Sequence, residues 1–230
     1  MTKNTTGTLY IVAGPIGNLK DITLRAIDIL KTADIILSED TRETAKVLRH
    51  YNISATQISY REQNHRKVMP KILNLLQQNK TLAVMSDSGT PTISDPGFKL
   101  VKEVLDAGFE VASIPGPSAV TSVLSISGLP TDKFVFLGFL PRSAGLRQKA
   151  LQTYGNLEAT LVIYESPYRI KRLLDETYSN LGDRMVYLAN DITKFYERSI
   201  RDRVSKVIAD SDGIKEKGEF VLLVAKEDFK

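Results

Sequence analysis

The segment from Ser86 to Gly97, with the sequence SDSGTPTISDPG, has the composition of a ligand-binding loop. It holds two glycines, two prolines, two aspartates and five hydroxyl side chains between an apolar run at 81–85 and a helix-like run at 99–107. Glycine allows close approach to the backbone, proline fixes the path, and hydroxyls and carboxylates supply polar contacts. Open α/β sheets build ligand sites from such loops at the carboxyl ends of their strands.

The same design occurs twice more in the first half of the chain. The segments are VAGPIGNLKD at 12–21 and IPGPSAV at 114–120, each of which follows an apolar, strand-like run. The composition of a single segment of this kind favours a solvated turn. Three such loops on one chain predict one shared site.

Alternating strand and helix signals position these loops. Strand patterns at 8–13, 35–37, 57–60, 81–85 and 110–114 are separated by amphipathic helix patterns, the first of which we expect Asp21 to cap. This rhythm predicts right-handed crossovers and a mostly parallel sheet.

Past residue 115 the strand patterns lie closer together, which favours a mixed or antiparallel sheet. They fall at 134–139, 160–164, 186–189 and 219–225, and the stretch 191–202 reads as extended and polar. We therefore expect an α/β protein of two α/β domains, 1–114 and 115–230, with a ligand cleft between them.

Composition excludes several classes of protein. The chain has 230 residues, a net charge of +4, 42% hydrophobic residues and no cysteine, so it has no disulfide or thiolate metal site. It contains no P-loop, no G-x-G-x-x-G and no H-E-x-x-H, and we predict no metal. Its two histidines lie apart: His50 reads as a helix C-terminal residue and His65 as a surface residue. Apolar runs are too short to span a bilayer, so we expect no membrane partner and a cytoplasmic location.

Six segments, in order from Leu9 to Val224, resemble the tetrapyrrole-methylase-like (class III) S-adenosylmethionine methyltransferases. They are YIVAGPIGNLKDITLRAIDIL, LSEDTRET, SDSGTPTISDPG, IPGPSAV with SGLPTDKFVFLGFLPR, YESPYR, and KGEFVLLV. Within that family the chain is most similar to the branch that methylates the 2′-oxygen of a cytidine in 16S ribosomal RNA (rRNA). The resemblance implies S-adenosylmethionine as methyl donor, 16S rRNA or the small ribosomal subunit as partner, and a homodimer.

By family position, the resemblance also implies which residues contact the donor. They are Pro15, Gly89, Thr90, Pro91, Ser118, Ala119, Tyr164, Glu165 and Asn190. Asp87 is a further candidate, either as a ligand contact or as a loop brace, and we favour the brace because Ser86 and Ser88 can satisfy it locally.

Transfer of an activated methyl group to a ribose hydroxyl requires alignment and a proton acceptor. The candidate acceptors or orienting groups are Glu39, Asp40, Glu165 and Lys194. The alternatives are structural: Glu39 or Asp40 pairs with Arg42 and caps a helix, and Lys194 pairs with Glu197.

Basic residues of the second half are candidates for RNA binding. We predict phosphate contacts from Arg142, Arg147, Arg169 and Arg172, and base stacking on Phe139 or Tyr168, although alternation along the strand favours a core position for Phe139. Solvated helix faces would explain the same arginines. Two alternative functions stay open: methylation of a corrinoid or tetrapyrrole precursor, and non-catalytic binding of RNA or the ribosome.

Overall fold

The structure is a computed structural model that describes residues 7–214 and 217–229, apart from the side chain of residue 212. The chain divides after Ser118 into two compact units, and the second begins at Ala119. Among the described residues, no helix has the length and apolar character needed to cross a bilayer.

The first unit contains a five-stranded sheet in which every pair of neighbours is parallel, with the order β3-β2-β4-β1-β5. The strands are β1 (Thr8–Val12), β2 (Ile35–Ser38), β3 (Thr56–Ser59), β4 (Leu82–Met85) and β5 (Glu110–Ile114). The helices are α1 (Leu24–Thr32), α2 (Thr41–His50), α3 (His65–Gln77) and α4 (Phe98–Asp106). The predicted parallel sheet is therefore confirmed.

Two apolar layers hold this sheet between its helices. Alternate strand residues point to opposite faces, so Leu9 and Ile11 pack with α3 and α4, whereas Val12 packs with α1 and α2. The predicted cap of α1 is wrong. Thr23 caps the helix, accepting a hydrogen bond from the backbone N–H of Ala26 at 3.1 Å, and Asp21 lies in a preceding 3₁₀ turn.

The second unit contains a mixed five-stranded sheet with the order β6-β7-β10-β8-β9. The strands are β6 (Phe134–Phe139), β7 (Thr160–Glu165), β8 (Met185–Asn190), β9 (Arg198–Arg203) and β10 (Phe220–Val224). The helices are α5 (Ala119–Ser127), α6 (Ala144–Gly155), α7 (Ile170–Leu181) and α8 (Val204–Ala209). β6 and β7 are parallel and the other pairs antiparallel, so the sheet is mixed, one of the two arrangements that the sequence favoured.

The stretch 191–202 is only partly extended. A turn at its start leads into β9, the edge strand, whose sequence RSIRDR lacks the apolar alternation of the inner strands. Charged side chains on an edge strand discourage pairing with another chain, and this explains why the pattern signals no strand.

Candidate functional site

The three glycine- and proline-rich loops of the first unit meet at the carboxyl end of its sheet. They follow β1, β4 and β5, which are neighbours in the sheet order. The backbone N–H of Gly14 donates to the carbonyl oxygen of Gly89 at 2.8 Å, and the N–H of Gly89 donates to the carbonyl of Pro15 at 3.3 Å. At the third loop, the N–H of Ala13 donates to the carbonyl of Ile114 at 3.1 Å. The loops therefore form one surface.

Close approach of the loops depends on glycine at two positions. Gly89 has a φ of +72°, and a Cβ there would lie 3.3 Å from Cγ2 of Ile16 and 3.8 Å from the carbonyl oxygen of Pro117. A Cβ on Gly116 would lie 3.0 Å from Cβ of Ala13. Ser118, the last residue of this unit, lies two residues after Gly116 and is half-buried.

The loop after β4 has a strained backbone. Thr92 and Ser94 have φ values of 77° and 59°, a left-handed conformation that is costly for a β-branched residue such as threonine. Hydrogen bonds within the loop hold it, from Thr92 N–H to the Pro96 carbonyl and from Ile93 N–H to the Thr90 carbonyl, both at 3.3 Å. Strain of this kind is concentrated at functional sites.

Asp87 acts as a brace, but not toward the neighbours that we expected. Its Oδ1 accepts a hydrogen bond from the backbone N–H of Asp40 at 3.0 Å, and its own N–H donates to Oε2 of Glu39 at 3.3 Å. The Ser86 hydroxyl donates instead to the carbonyl of Ser88. The brace therefore links the ends of β2 and β4.

Of the two neighbouring carboxylates, Asp40 is held as a structural group. It caps α2 by accepting from the backbone N–H of Arg42 at 2.9 Å, and its carboxylate also pairs with the Arg42 guanidinium at 2.6 Å. These bonds hold the pKa of Asp40 far below its usual value. The expected cap and salt bridge are confirmed for this residue, and a carboxylate so stabilised is a weak base.

Glu39 lies in a different environment. Burial is the main cause of its raised pKa, and the negative charge of Asp87 adds to the effect. Arg61 donates from Nε to the backbone carbonyl of Glu39 at 2.8 Å, and its positive charge offsets only part of the increase in the pKa. Among the acidic candidates, Glu39 therefore has the electrostatics of a proton acceptor.

A pocket of about 170 Å³ lies beside this cluster. It is lined by Pro15, Gly17, Leu19, Glu43, Thr44, Lys46, Val47, Met85, Ser86 and Asp87. The Thr44 side chain is buried, and its hydroxyl has no hydrogen-bond partner among the residues that the structure describes. A buried hydroxyl without a partner costs free energy, so a polar ligand atom in the pocket would be stabilised there. Sequence reasoning missed Thr44 because only the tertiary structure shows that its hydroxyl is unpartnered.

In the second unit, the residues predicted to contact the methyl donor lie at one end of the sheet. The exception is Ala119, the first residue of α5. Strand register aligns Glu165 of β7 with Phe220 of β10, Phe220 with Asn190 of β8, and Asn190 with Arg198 of β9. Tyr164 precedes Glu165 on β7, and its ring contacts Phe139 edge to face. The Asn190 amide donates to the carbonyls of Lys217 and Glu219, both at 3.2 Å.

Glu165 and Lys194 are both held by neighbouring groups. The Glu165 side chain is fully buried; Oε1 accepts from the Ser166 N–H at 2.6 Å, and Oε2 lies 3.0 Å from Nη2 of Arg169. Burial favours a lower pKa for Lys194, but its bonds to Glu219 and Asp191 outweigh burial and raise the pKa. A lysine that is more firmly protonated cannot accept a proton. Its expected pairing with Glu197 is wrong: the Glu197 carboxylate accepts from the Thr193 N–H.

The four predicted RNA-binding arginines differ in exposure. Arg142 is exposed, and Arg172 is exposed while bonding Glu176 at 2.9 Å. Arg169 is half-buried and donates to the carbonyl of Leu140. The prediction that Arg147 binds RNA is wrong. Its side chain is 3% exposed and forms a two-point ion pair with Glu176, so it presents no surface to a phosphate.

Two expectations about exposure were also wrong. Phe139 is 59% exposed and lies at the surface, because a bulge between Phe136 and Gly138 shifts the strand register and breaks the alternation. His65 is buried rather than exposed. Its Nδ1 lies 2.8 Å from the Tyr60 hydroxyl, and its Nε2 lies 2.9 Å from the Glu103 carboxylate. Tyr168 is exposed, as a stacking residue requires.

Comparison with known proteins shows the family to which this chain belongs. The family model of the tetrapyrrole (corrin/porphyrin) methylases matches residues 8–208, so the chain belongs to this family and is a methyltransferase. The fold agrees with solved structures. Uroporphyrin-III C-methyltransferase from Thermus thermophilus, solved with S-adenosylhomocysteine, has a TM-score of 0.65 at 20% identity, over 94% of this chain and 97% of that one. A diphthine synthase has a TM-score of 0.72 at 12% identity, over 96% and 90%.

Closer relatives narrow the comparison within the family. A protein of Halalkalibacterium halodurans is 44% identical over 218 residues, which cover 95% of this chain and 75% of the relative. A protein of Thermotoga maritima is 41% identical over 222 residues, which cover 96% and 100%. Both are named Ribosomal RNA small subunit methyltransferase I.

Proposed function

We propose that this protein transfers the methyl group of S-adenosylmethionine to the 2′-hydroxyl of a cytidine in 16S rRNA. The resemblance to the rRNA-modifying branch of the family implies position 1402. One structural observation carries the donor site: three loops of the first unit join through backbone hydrogen bonds at the carboxyl end of a parallel sheet. The names of relatives that match nearly the whole chain support rRNA as the substrate.

The joined loops fit the donor in two respects. Gly89 has a φ of +72°, and a Cβ there would crowd Ile16 and the Pro117 carbonyl, so glycine lets the three loops pack closely enough to form one binding surface. Thr90 and Pro91 add a hydroxyl and a rigid apolar wall, which suit a zwitterion and a flat adenine. When bound, the donor supplies a methyl group already activated by its sulfonium. The pocket of about 170 Å³ is smaller than typical small-molecule sites, so we assign it only part of a ligand.

The remaining donor contacts in this proposal are those that family position assigns. In the first unit these are Pro15 and Ser118, with Asp87 as the brace that fixes the loop against Asp40. In the second unit they are Ala119, Tyr164, Glu165 and Asn190, the last three at one end of its sheet.

Glu39 is the residue that we assign to proton acceptance. Its pKa is raised by burial, which brings a carboxylate closer to the pKa of an effective base at neutral pH. Asp40 and Lys194 are unsuited because their charged forms are stabilised by partners. Glu165 is buried against Arg169 and Ser166 and serves to position its strand end.

RNA phosphates would contact the exposed guanidinium groups of Arg142 and Arg172, and bases would stack on Tyr168 and Phe139. Arg169 contributes only through the part of its side chain that is exposed. We propose that the protein acts in the cytoplasm, as its composition suggests, and as a homodimer, as the family resemblance implies.

The test is mass analysis of 16S rRNA from cells with and without the gene. We expect one ribose methyl to be missing in the deletion and to return when purified protein and S-adenosylmethionine are added. Assays with free rRNA and with assembled small subunits identify the preferred substrate. Complementation with Glu39→Gln serves as the inactive control. Unchanged rRNA together with methylation of a corrinoid precursor would replace this proposal with its same-fold alternative, and failure to bind the donor in calorimetry would favour a non-catalytic protein.

A further inference from the structure

We propose that Phe195 and Tyr196, in the turn between β8 and β9, form a stacking platform for the bases of single-stranded RNA. This inference rests on the proposed rRNA substrate and adds a binding surface that family position did not assign. The relevant segment is KFYER at 194–198, in which two aromatic residues lie among charged ones.

The two rings are unusually open to solvent. Phe195 is 93% exposed and Tyr196 is 72% exposed, and the rings meet edge to face with centroids 4.9 Å apart. Large aromatic side chains are mostly buried in folded proteins, and adjacent exposed ones mark binding surfaces. Each ring face available to solvent is a surface on which any base can stack.

The turn that carries the rings is braced from within. Lys194 pairs with Glu219 at 2.7 Å and with Asp191 at 3.0 Å, and its backbone N–H donates to the Asp191 carbonyl at 2.9 Å. Asp191 and Thr193 have φ values of 51° and 66°, so the backbone is held in a conformation that side chains disfavour. A platform arranged in advance loses less entropy when a ligand binds, and the strain indicates a functional constraint.

Glycine at position 218 is part of the same brace. Gly218 has a φ of +88°, and a Cβ there would collide with the carboxylate of Asp191. The aromatic turn is thus packed against the chain that leads into β10, and its rings are exposed to solvent.

Charge selects the partner. Arg198 follows the rings on β9 and is exposed, whereas Arg201 points to the opposite face of the sheet and donates to the carbonyl of Gly128 at 3.4 Å. Flat rings next to the Arg198 guanidinium match flat bases joined by phosphates, and arginine also stacks on bases. A second copy of the chain would cover the apolar rings without needing a guanidinium group beside them.

The platform lies at the end of the sheet that holds the other RNA candidates. Strand register puts Phe139 beside Tyr164 on β6 and β7, and the same end continues through Asn190 to Arg198 on β9. With strands about 4.8 Å apart, the four intervals from β6 to β9 span roughly 19 Å. Aromatic and basic groups at both edges of this end would hold several nucleotides of an extended strand.

A cavity adjoins the platform. Its volume is about 360 Å³, and its described lining includes Tyr196, Arg198, Lys217, Leu188 and Phe220. This volume is within the range of small-molecule pockets. A nucleotide stacked on Tyr196 therefore has apolar space and two cationic side chains beside it.

The test compares binding of a fluorescein-labelled single-stranded 16S rRNA fragment to the full chain and to variants by fluorescence anisotropy. We expect Phe195→Ala/Tyr196→Ala to raise the Kd at least tenfold, while Phe195→Tyr/Tyr196→Phe keeps it within a factor of about three, since stacking needs the rings alone. Phe134→Ala is the matched control, because Phe134 is an exposed aromatic at the opposite end of β6. Calorimetry with S-adenosylmethionine and thermal unfolding verify that each variant is folded.

The outcomes separate this inference from the proposed function. If the wild-type chain binds the fragment and the double alanine variant binds equally well, the platform is wrong and the rRNA proposal stands. If the wild-type chain binds no RNA at all, the rRNA proposal itself fails. A change from dimer to monomer in the double variant, or loss of binding to anionic vesicles with RNA affinity intact, would reassign the rings to self-association or to a membrane and overturn the platform.

Discussion

The carbonyl oxygen of Gly89 accepts a hydrogen bond from the backbone N–H of Gly14 at 2.8 Å, which joins two loops 75 residues apart in the chain. The backbone N–H of Gly89 in turn donates to the carbonyl oxygen of Pro15, which forms a second hydrogen bond between the same two loops. Because both partners are main-chain groups, the joint depends on backbone conformation rather than on side-chain identity. Gly89 is therefore the residue whose replacement should affect the site most directly.

We expect Gly89→Ala to weaken S-adenosylmethionine binding at least tenfold. The new Cβ would lie 3.3 Å from Ile16 Cγ2, and a φ of +72° disfavours alanine by on the order of 1 kcal/mol. Gly108→Ala is the matched control: its φ is +81°, but a Cβ there meets nothing within 4 Å. Thermal unfolding should show similar losses of stability for the two variants. Calorimetry should show weaker S-adenosylmethionine binding for Gly89→Ala but not for Gly108→Ala. Equal affinities of the two variants would contradict the role assigned to Gly89.

Glu39→Gln should lower the rate of methyl transfer by roughly 10²–10⁴-fold if Glu39 accepts the proton. In the wild-type enzyme, activity should rise as the pH rises through the raised pKa of Glu39, above the ordinary value of 4.5, because only the carboxylate can act as base. The glutamine variant should lack this limb of the profile. Asp40→Asn is the control, and we expect it to lower stability while keeping the limb.

Replacing Glu39 with glutamine should have opposite effects on activity and on stability: it should lower the activity and raise the stability. A folded-state pKa above the unfolded value means that the protonated form favours folding, and this contribution is lost as the pH rises through the folded pKa. Glu39→Gln, which resembles the protonated form, should therefore unfold at a higher temperature than the wild type at neutral pH. A thermal midpoint that falls instead would show that the carboxylate itself stabilises the fold.

The Arg147–Glu176 ion pair should matter for folding rather than for RNA binding. Arg147→Met removes the buried partner of the Glu176 carboxylate, which has little access to solvent. Breaking a buried ion pair costs about 3–5 kcal/mol. Arg172→Ala removes the exposed partner of the same carboxylate and should cost under about 1 kcal/mol. Urea denaturation measures both. Comparable losses from the two variants would contradict the difference in burial.

The same pair should protect the protein against acid. The Arg147 guanidinium is the main cause of the lowered pKa of Glu176. A lowered folded pKa contributes stability above the unfolded value of 4.5, and this stability is lost as the pH falls through the folded pKa. We expect Glu176→Gln to be less stable at neutral pH and to lose less stability on acidification, as followed by denaturation at a series of pH values.

Arg142→Ala should weaken binding to RNA of any sequence. It should also reduce the slope of the logarithm of the binding constant against the logarithm of the salt concentration by about one unit. Arg49→Ala, on α2 of the first unit, removes an equally exposed charge and serves as the control. Titrations of the rRNA fragment at several salt concentrations provide the slopes. Equal slopes for the wild type and Arg142→Ala would remove this arginine from the RNA surface.

Much of the architecture was predictable because its signals are local. The alternation of Leu9, Ile11 and their neighbours predicts strands, and the turn residues Gly14, Gly89 and Gly116 mark the loops, whatever the rest of the chain does. Once the strands are known to be parallel and adjacent, their carboxyl ends must meet. The cap of α1 was harder to predict, since Asp21 and Thr23 are both good capping residues and only backbone geometry selects Thr23.

The sequence by itself determined the order of elements, the kinds of loop and the family, because these depend on patterns within short stretches. The tertiary structure alone decided which charged and aromatic side chains face solvent. Arg142 and Arg147 are five residues apart, yet one is exposed and the other is buried against Glu176, 29 residues further on. His65 and Phe139 exchange their expected roles in the same way, since burial depends on neighbours that the chain brings together only when it folds.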